Sequence, residues 1–445
     1  MIRRGPGTPL APPSDVSVKL IRTLTITVFL QWFGSTSIIP MLPVYVRDMG
    51  GTVFMAGLVM AAFFAAGVLS QYPMGRLADR IGRKPVLLIG LGVYALATLA
   101  FLLPINPAIA IVLRSFQGLG AGASAVAALA MVSGAVAVVR RGRAFAALFG
   151  AEFAGLAVGP LIGAIVGVRN MWLMFLVSGV VVLVACIPAA RIVEAPAELA
   201  LRHARTDVDG VVAPLAPLRW NRSMIGGIVA AGALGLASGV YDICWTLLLL
   251  SRGASGWQIG VSWTLFAVPF LLAARPSGWL ADHMDRRVLV LGGLGVATLF
   301  CASYPFIHAV PMLMILSGIE ALGFAAAMPA LQSLLTQGSE PSEVGRIQGM
   351  FGTTQTALTA LSTALAGAAF AVASWLPFVT ASCLTALALI ATALVWRTVA
   401  GHVHPAIDSF DVDGETSVAN DDGSLVLASP LPDDQPAVGV STEVQ

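Results

Sequence analysis

Four ionisable side chains stand inside otherwise apolar stretches: Arg114, Glu152, Asp242 and Glu320. On insertion scales a charge at mid-bilayer costs about 2.5–3.5 kcal/mol, so keeping one there implies a purpose. A carboxylate in a low-dielectric cavity favours its neutral form. It can therefore take up a proton near neutrality and release it when exposed to the opposite side. Glu152, Asp242 and Glu320 are the candidate proton carriers, and Arg114 is the candidate modulator of a nearby carboxylate. The alternative for each is a structural pair, such as Arg114 with Glu152. Histidine offers no rival, because His308, the nearest, lies at the outer edge of an apolar stretch. Gln31, Trp32, Ser35, Gln117, Tyr241, Trp245 and Phe324 are the candidate lining of a substrate cavity. Aromatic rings beside a buried acid suit an amphipathic or cationic organic molecule, with packing or lipid contact as the alternative. Enzyme chemistry finds no support. There is no nucleophile–base motif and no Gly-x-x-x-x-Gly-Lys-Ser/Thr phosphate loop, and the four cysteines lack Cys-x-x-Cys spacing, so neither a cofactor nor a metal is expected.

The elements that hold these charges follow from composition. Of the 445 residues 57% are hydrophobic and 11% charged, with a mean hydropathy of +0.87. Soluble domains carry about 25% charged residues, so lipid must be the solvent for most of this surface. A net charge of +2 gives no reason to expect nucleic acid. A span needs about 20 apolar residues. Twelve fit, at 20–46, 54–74, 86–104, 108–132, 144–167, 171–190, 223–250, 257–279, 288–307, 311–335, 345–372 and 376–396. Each must be helical, since backbone amides in hydrocarbon have no other partners. The first run is too long for a cleavable leader and reads as a span. Nearly all arginines and lysines then fall in loops on one side, and only Arg47, Arg169 and Arg252 fall on the other. By the positive-inside rule both termini are cytoplasmic.

The expected organisation is therefore an all-α membrane protein, monomeric, in the cell membrane. It has a flexible segment 1–17, a six-helix bundle 18–190 and a cytoplasmic linker 191–222. A second bundle, 223–397, follows, and then a disordered acidic tail 398–445 that has no lysine or arginine. The bundles repeat. Gly75-Arg-Leu-Ala-Asp79-Arg80-Ile-Gly82-Arg83-Lys84 follows span 2, and Gly278-Trp-Leu-Ala-Asp282-His-Met-Asp-Arg286-Arg287 follows span 8. The shift from 75 to 278, 203 residues, also sets Gln117 opposite Glu320 and Gly120 opposite Gly323. Matched halves in parallel orientation are the pattern of a carrier that rocks about a central site. Gly75 is expected to permit close helix approach, and Asp79 to accept from Arg83 or from a facing helix N-terminus. Such a cluster can latch one conformation and release the other.

The stretch 75–84 resembles the signature loop of the major facilitator superfamily, in the same cytoplasmic position. Arg114-Ser-Phe-Gln117-Gly-Leu-Gly120 resembles its arginine motif, associated with proton transfer. Gly155-Leu-Ala-Val-Gly159-Pro160-Leu-Ile-Gly163 resembles its antiporter motif, with one glycine where the family often has two. Gly34-Ser-Thr-Ser-Ile-Ile-Pro40-Met-Leu-Pro43 resembles the span 1 motif of twelve-helix drug:proton antiporters. The resemblance implies that spans 1, 4, 7 and 10 line the cavity, and it implies proton-coupled efflux of small organic molecules, drug-like or metabolite. The glycines also make a smooth packing face by themselves. A sugar or metabolite symporter or uniporter of the same fold is the alternative, and a transport-inactive sensor or assembly protein a lesser one.

Overall fold

The computed structural model describes residues 15–135, 138–166, 170–192, 218–339, 343–401, 417–419 and 425–427. Twelve of its helices are long and apolar enough to cross a bilayer. Span 1 is the helix Asp15–Ile38, a 3-10 turn Ile39–Met41 and the helix Leu42–Asp48. Pro40 and Pro43 sit in the first positions of the turn and of the second helix, where a missing N–H is harmless. Spans 2 to 6 are Val53–Ile81, Arg83–Leu99, Pro107–Ala135, Val138–Val166 and Met171–Ala190. Span 7 runs Arg222–Val240, through a π turn Tyr241–Trp245, to Thr246–Ser251. Spans 8 to 12 are Gly256–His283, Arg286–Ser303, Val310–Leu335, Val344–Val372 and Leu376–Val395. Most of the central linker lies outside the described residues.

Neighbours follow the repeat. In the first half, span 1 packs on 5 and 6, and span 4 on 2 and 3; in the second, span 7 packs on 11 and 12, and span 10 on 8 and 9. Two seams join the halves, span 2 against 11 and span 5 against 8. Three apolar clusters fill the interior. One draws on both halves near the 1–2 and 7–8 connections, through Ile38, Met60, Phe175, Ile243 and Phe378. The other two, at the arginine-rich end, are confined to one half each, around Leu87 and Tyr94 and around Leu294 and Trp396. The halves therefore meet at one end and part at the other.

At the closed end both seams rest on small residues related by the 203-residue shift. A methyl group on Gly57 would lie 3.0 Å from Thr363 O and 3.2 Å from Gly367 Cα. One on Gly260, the equivalent position, would lie 2.7 Å from Pro160 O and collide with the Ala164 methyl. Further towards the open end, among the described residues, the 5–8 seam is fastened by a side-chain hydrogen bond and a ring stack. Thr264 Oγ1 donates to Ala157 O at 2.7 Å, and Phe153 stacks on Phe270 with ring centroids 4.7 Å apart. The 2–11 seam has Ala61 and Ala360, then Gly67 and Thr356, at the equivalent positions.

The segment after span 12 departs from expectation over 398–401. Arg286 N donates to Gly401 O at 3.1 Å, Arg287 donates to Val399 O at 2.9 Å, and these residues belong with the helical unit, which ends at Gly401. Beyond it, where no structure is expected, β1 (Ser417–Ala419) pairs antiparallel with β2 (Leu425–Leu427).

Candidate functional site

A cavity of about 650 Å³ lies between the halves. Its wall draws on spans 1, 2, 3, 4, 5, 7, 8, 10 and 11, and includes Gln31, Trp32, Ser35, Arg114, Glu152, Tyr241, Asp242, Trp245, Glu320 and Phe324. Among the candidate residues Gln117 alone is displaced from it. Its side chain points away behind the wall, accepting from Arg114 Nη1 at 2.8 Å and donating to Thr98 Oγ1 at 2.8 Å. Three residues further along a helix is nearly a full turn, but Arg114 is long enough to reach the cavity while Gln117 braces it.

Arg114 is 1% exposed. Its guanidinium carbon lies 4.5 Å from the Phe63 ring centroid, a cation–π contact, and its Nε has no hydrogen-bond partner. No ion pair with Glu152 or any other acid forms among the described residues, so the structural-pair alternative is not realised. Asp242 lies within electrostatic reach. On the facing wall Glu320 is also 1% exposed. Tyr241 Oη donates to its Oε1 and Tyr304 Oη to its Oε2, both at 2.6 Å. Trp245 meets the Tyr304 ring edge-on at 5.1 Å and donates from Nε1 to Ser262 Oγ at 2.9 Å. The π turn, with its i→i+5 bonds, widens span 7 where Tyr241, Asp242 and Trp245 all reach the cavity. Such turns often occur at functional sites.

The sequence profile of the Major Facilitator Superfamily matches residues 24–242 and 219–419. The chain belongs to the Major Facilitator Superfamily. It is 27% identical over 351 residues to the class D tetracycline resistance protein of Salmonella ordonez, covering 72% of this chain and 82% of that one. It is 28% identical over 348 residues to the multidrug resistance protein MdtG of Salmonella paratyphi C, covering 75% and 85%. Among solved structures, it resembles a bacterial homologue of the human lysosomal transporter Spinster, in an inward-facing, unoccupied conformation. That match has a TM-score of 0.65 at 14% identity and covers 86% and 96% of the two chains. Fold and family make the protein a multi-pass membrane carrier of small molecules.

The superfamily's glycine stripe in span 5 is a contact with span 1. A methyl group on Gly155 would lie 2.7 Å from Trp32 Cβ; on Gly159 it would run into Thr36 Oγ1, and on Gly163 into Ser37 O. Thr36 Oγ1 donates to Gly155 O at 3.1 Å. The superfamily loop reads differently. A methyl group on Gly75 would make only an ordinary 3.6 Å contact with Val126, and one on Gly278 would meet nothing within 4 Å. The close approach expected of Gly75 is absent because it lies towards the end where the halves part. Gly82 does need to be glycine, since it closes span 2 at φ 111°. Asp79 and Arg80 are exposed, and Arg83 and Lys84 open span 3. In the second loop Asp282 is 72% exposed and lies 3.9 Å from Arg286.

Three residues with clear roles escaped the sequence reading. Tyr304 sits in the 3-10 turn after span 9, a lone tyrosine with no motif around it. Ser262 receives the Trp245 bond from span 8. Asp285 is the third: it caps span 9, accepts from Arg287 N at 2.8 Å and pairs with the Arg287 guanidinium at 2.6 Å. That hydrogen-bonded guanidinium holds its carboxyl below the usual carboxylate range. The spacing Asp-Arg-Arg before an apolar run is a capping signal that could have found it.

Proposed function

We propose that the protein exports small organic molecules in exchange for protons by alternating access. The arginine-rich end and both termini are cytoplasmic in this reading, so the cavity opens inward. The observation that carries it is the placement of Glu152, Asp242 and Glu320 on one cavity between two matched halves. Such acids can hold a proton on one side of the membrane and lose it on the other. The tetracycline and multidrug resistance proteins among its relatives support export over uptake. So does the tight span 1–span 5 contact at the antiporter motif.

The driving force is adequate. A charge crossing 100 mV gains about 2.3 kcal/mol, so one proton at roughly 150 mV supplies about 3.5 kcal/mol. At 1.4 kcal/mol per decade that sustains a gradient of a few hundredfold. The loop 75–84 is the latch in this reading. With the inner end open, Asp79 has no ion pair among the described residues, as a released latch requires. The test is a substrate-panel accumulation assay in everted membrane vesicles, with and without a protonophore. Accumulation that survives collapse of the proton gradient refutes proton coupling.

A further inference from the structure

The two cavity walls differ in charge, Arg114 and Glu152 standing on the first-half wall and Asp242 and Glu320 on the second, and the repeat shows where the difference lies. Under the 203-residue shift Arg114 falls opposite Ser317, and Gln117 opposite Glu320. One wall thus presents a guanidinium over the Phe63 ring, braced from behind by Gln117. The other presents Asp242 and Glu320 among the rings of Tyr241, Trp245 and Tyr304. Between them the lining is mostly apolar, including Met60, Phe64, Phe266 and Phe324, with polar groups such as Gln31 and Gln355 among them. Arg114 is buried, keeps an unpartnered Nε and forms no ion pair among the described residues. A buried charge is stabilised by a bound counter-charge and penalised by a desolvating neutral group or a like charge. A purely cationic guest satisfies the acids and leaves the guanidinium facing a like charge. A purely anionic guest does the reverse.

We infer that the preferred substrates are amphoteric: largely apolar molecules with an anionic oxygen group at Arg114 and an amine at the Asp242–Glu320 wall. This rests on the efflux reading for its physiological meaning, but it is a statement about binding and is tested without a gradient. The probes are norfloxacin, which has a free carboxylate and a basic piperazine nitrogen, its methyl ester, which keeps only the amine, and its N-acetyl derivative, which keeps only the carboxylate. Binding of each to the full chain in lipid nanodiscs is measured by titration calorimetry at neutral pH.

The expected result is affinity for norfloxacin at least about tenfold above either derivative, equivalent to about 1.4 kcal/mol. Arg114→Gln brings the norfloxacin-to-ester ratio close to one, and Asp242→Asn brings the norfloxacin-to-N-acetyl ratio close to one. An ester that binds wild-type protein as tightly as norfloxacin overturns the inference, whether or not either variant folds. So does an Arg114→Gln variant that weakens both by the same factor, or the absence of binding by all three. Proton-driven accumulation of the ester in vesicles, with no binding preference, overturns the inference and leaves the efflux reading standing. The preference without protonophore sensitivity does the reverse.

Discussion

At matched positions the two halves keep the same helix contacts and exchange their side chains. Gly155 faces Trp32 and Gly159 faces Thr36 in the first half. In the second half the equivalent contacts are Leu358 against Gly235 and Ser362 against Gly239, and the glycine has moved to the other helix. A methyl group on Gly235 would lie 3.0 Å from Leu358 Cβ, and one on Gly239 2.6 Å from Ser362 Cβ. Each contact needs one bare backbone and one side chain, and either helix can supply either. The corner after the second helix of each half is also turned in two ways. Gly82 does it with a positive φ; Asp285, at the equivalent position, does it with a side-chain cap at φ −59°. The framework is duplicated, whereas the chemistry is not: the cation stands in one half, with Asp242 and Glu320 in the other.

The comparison breaks first at the acids. Glu320→Gln is expected to cut protonophore-sensitive efflux at least about 100-fold, the lower range for loss of a proton-transferring group, while leaving the protein inserted. Full activity in vesicles would exclude Glu320 as the coupling site and leave that role to Asp242 or Glu152. Next comes the exchange of glycines. Gly159→Ser should lower stability by about 2 kcal/mol through overpacking, read as a drop in Tm. Adding Thr36→Gly, which copies the arrangement at Gly239 and Ser362, should restore at least half of that loss; no recovery would mean the halves are not interchangeable at this contact. Asp79→Asn should slow turnover about tenfold, about 1.4 kcal/mol, at unchanged Tm. Asp282→Asn should do little, since an exposed pair contributes about 0–1 kcal/mol. Equal effects from the two would assign the latch to both loops. Asp285→Ala should cost about 1 kcal/mol of stability, the loss of a cap. Because Arg287 holds this carboxyl below its ordinary value near ~3.9, the contribution is present at neutral pH. It fades as the pH falls beneath that value, so the variant and parent Tm curves should converge in acid.

The twelve spans were legible because an apolar run of sufficient length has few other fates, and the charges inside them marked the cavity for the same reason. Arg114, Glu152, Asp242 and Glu320 stood out by cost alone. What the chain concealed was geometry at the level of one helical turn. Nothing in Tyr241-Asp-Ile-Cys-Trp245 announces a π turn, which arises from packing rather than propensity. Gln117 matched Glu320 in register yet braces a neighbour instead of facing the cavity. Tyr304, the equivalent of Phe101, gains its role only because a hydroxyl there can reach a carboxylate 16 residues on. Gly75 invites reading as a contact point because glycine is usually placed for closeness; here its surroundings are open.

The two seams between the halves differ in how they are fastened. Both rest on small residues at the closed end, where surfaces can slide apart without withdrawing side chains from sockets. Nearer the middle, only the 5–8 seam carries the Thr264 hydrogen bond and the Phe153–Phe270 stack. Together these contribute about 2 kcal/mol, from about 1 for the hydrogen bond and about 1 for the rings. The resting molecule is thus a door with its bolt on one edge: separation starts along helices 2 and 11 and finishes along 5 and 8, giving the swing a preferred direction.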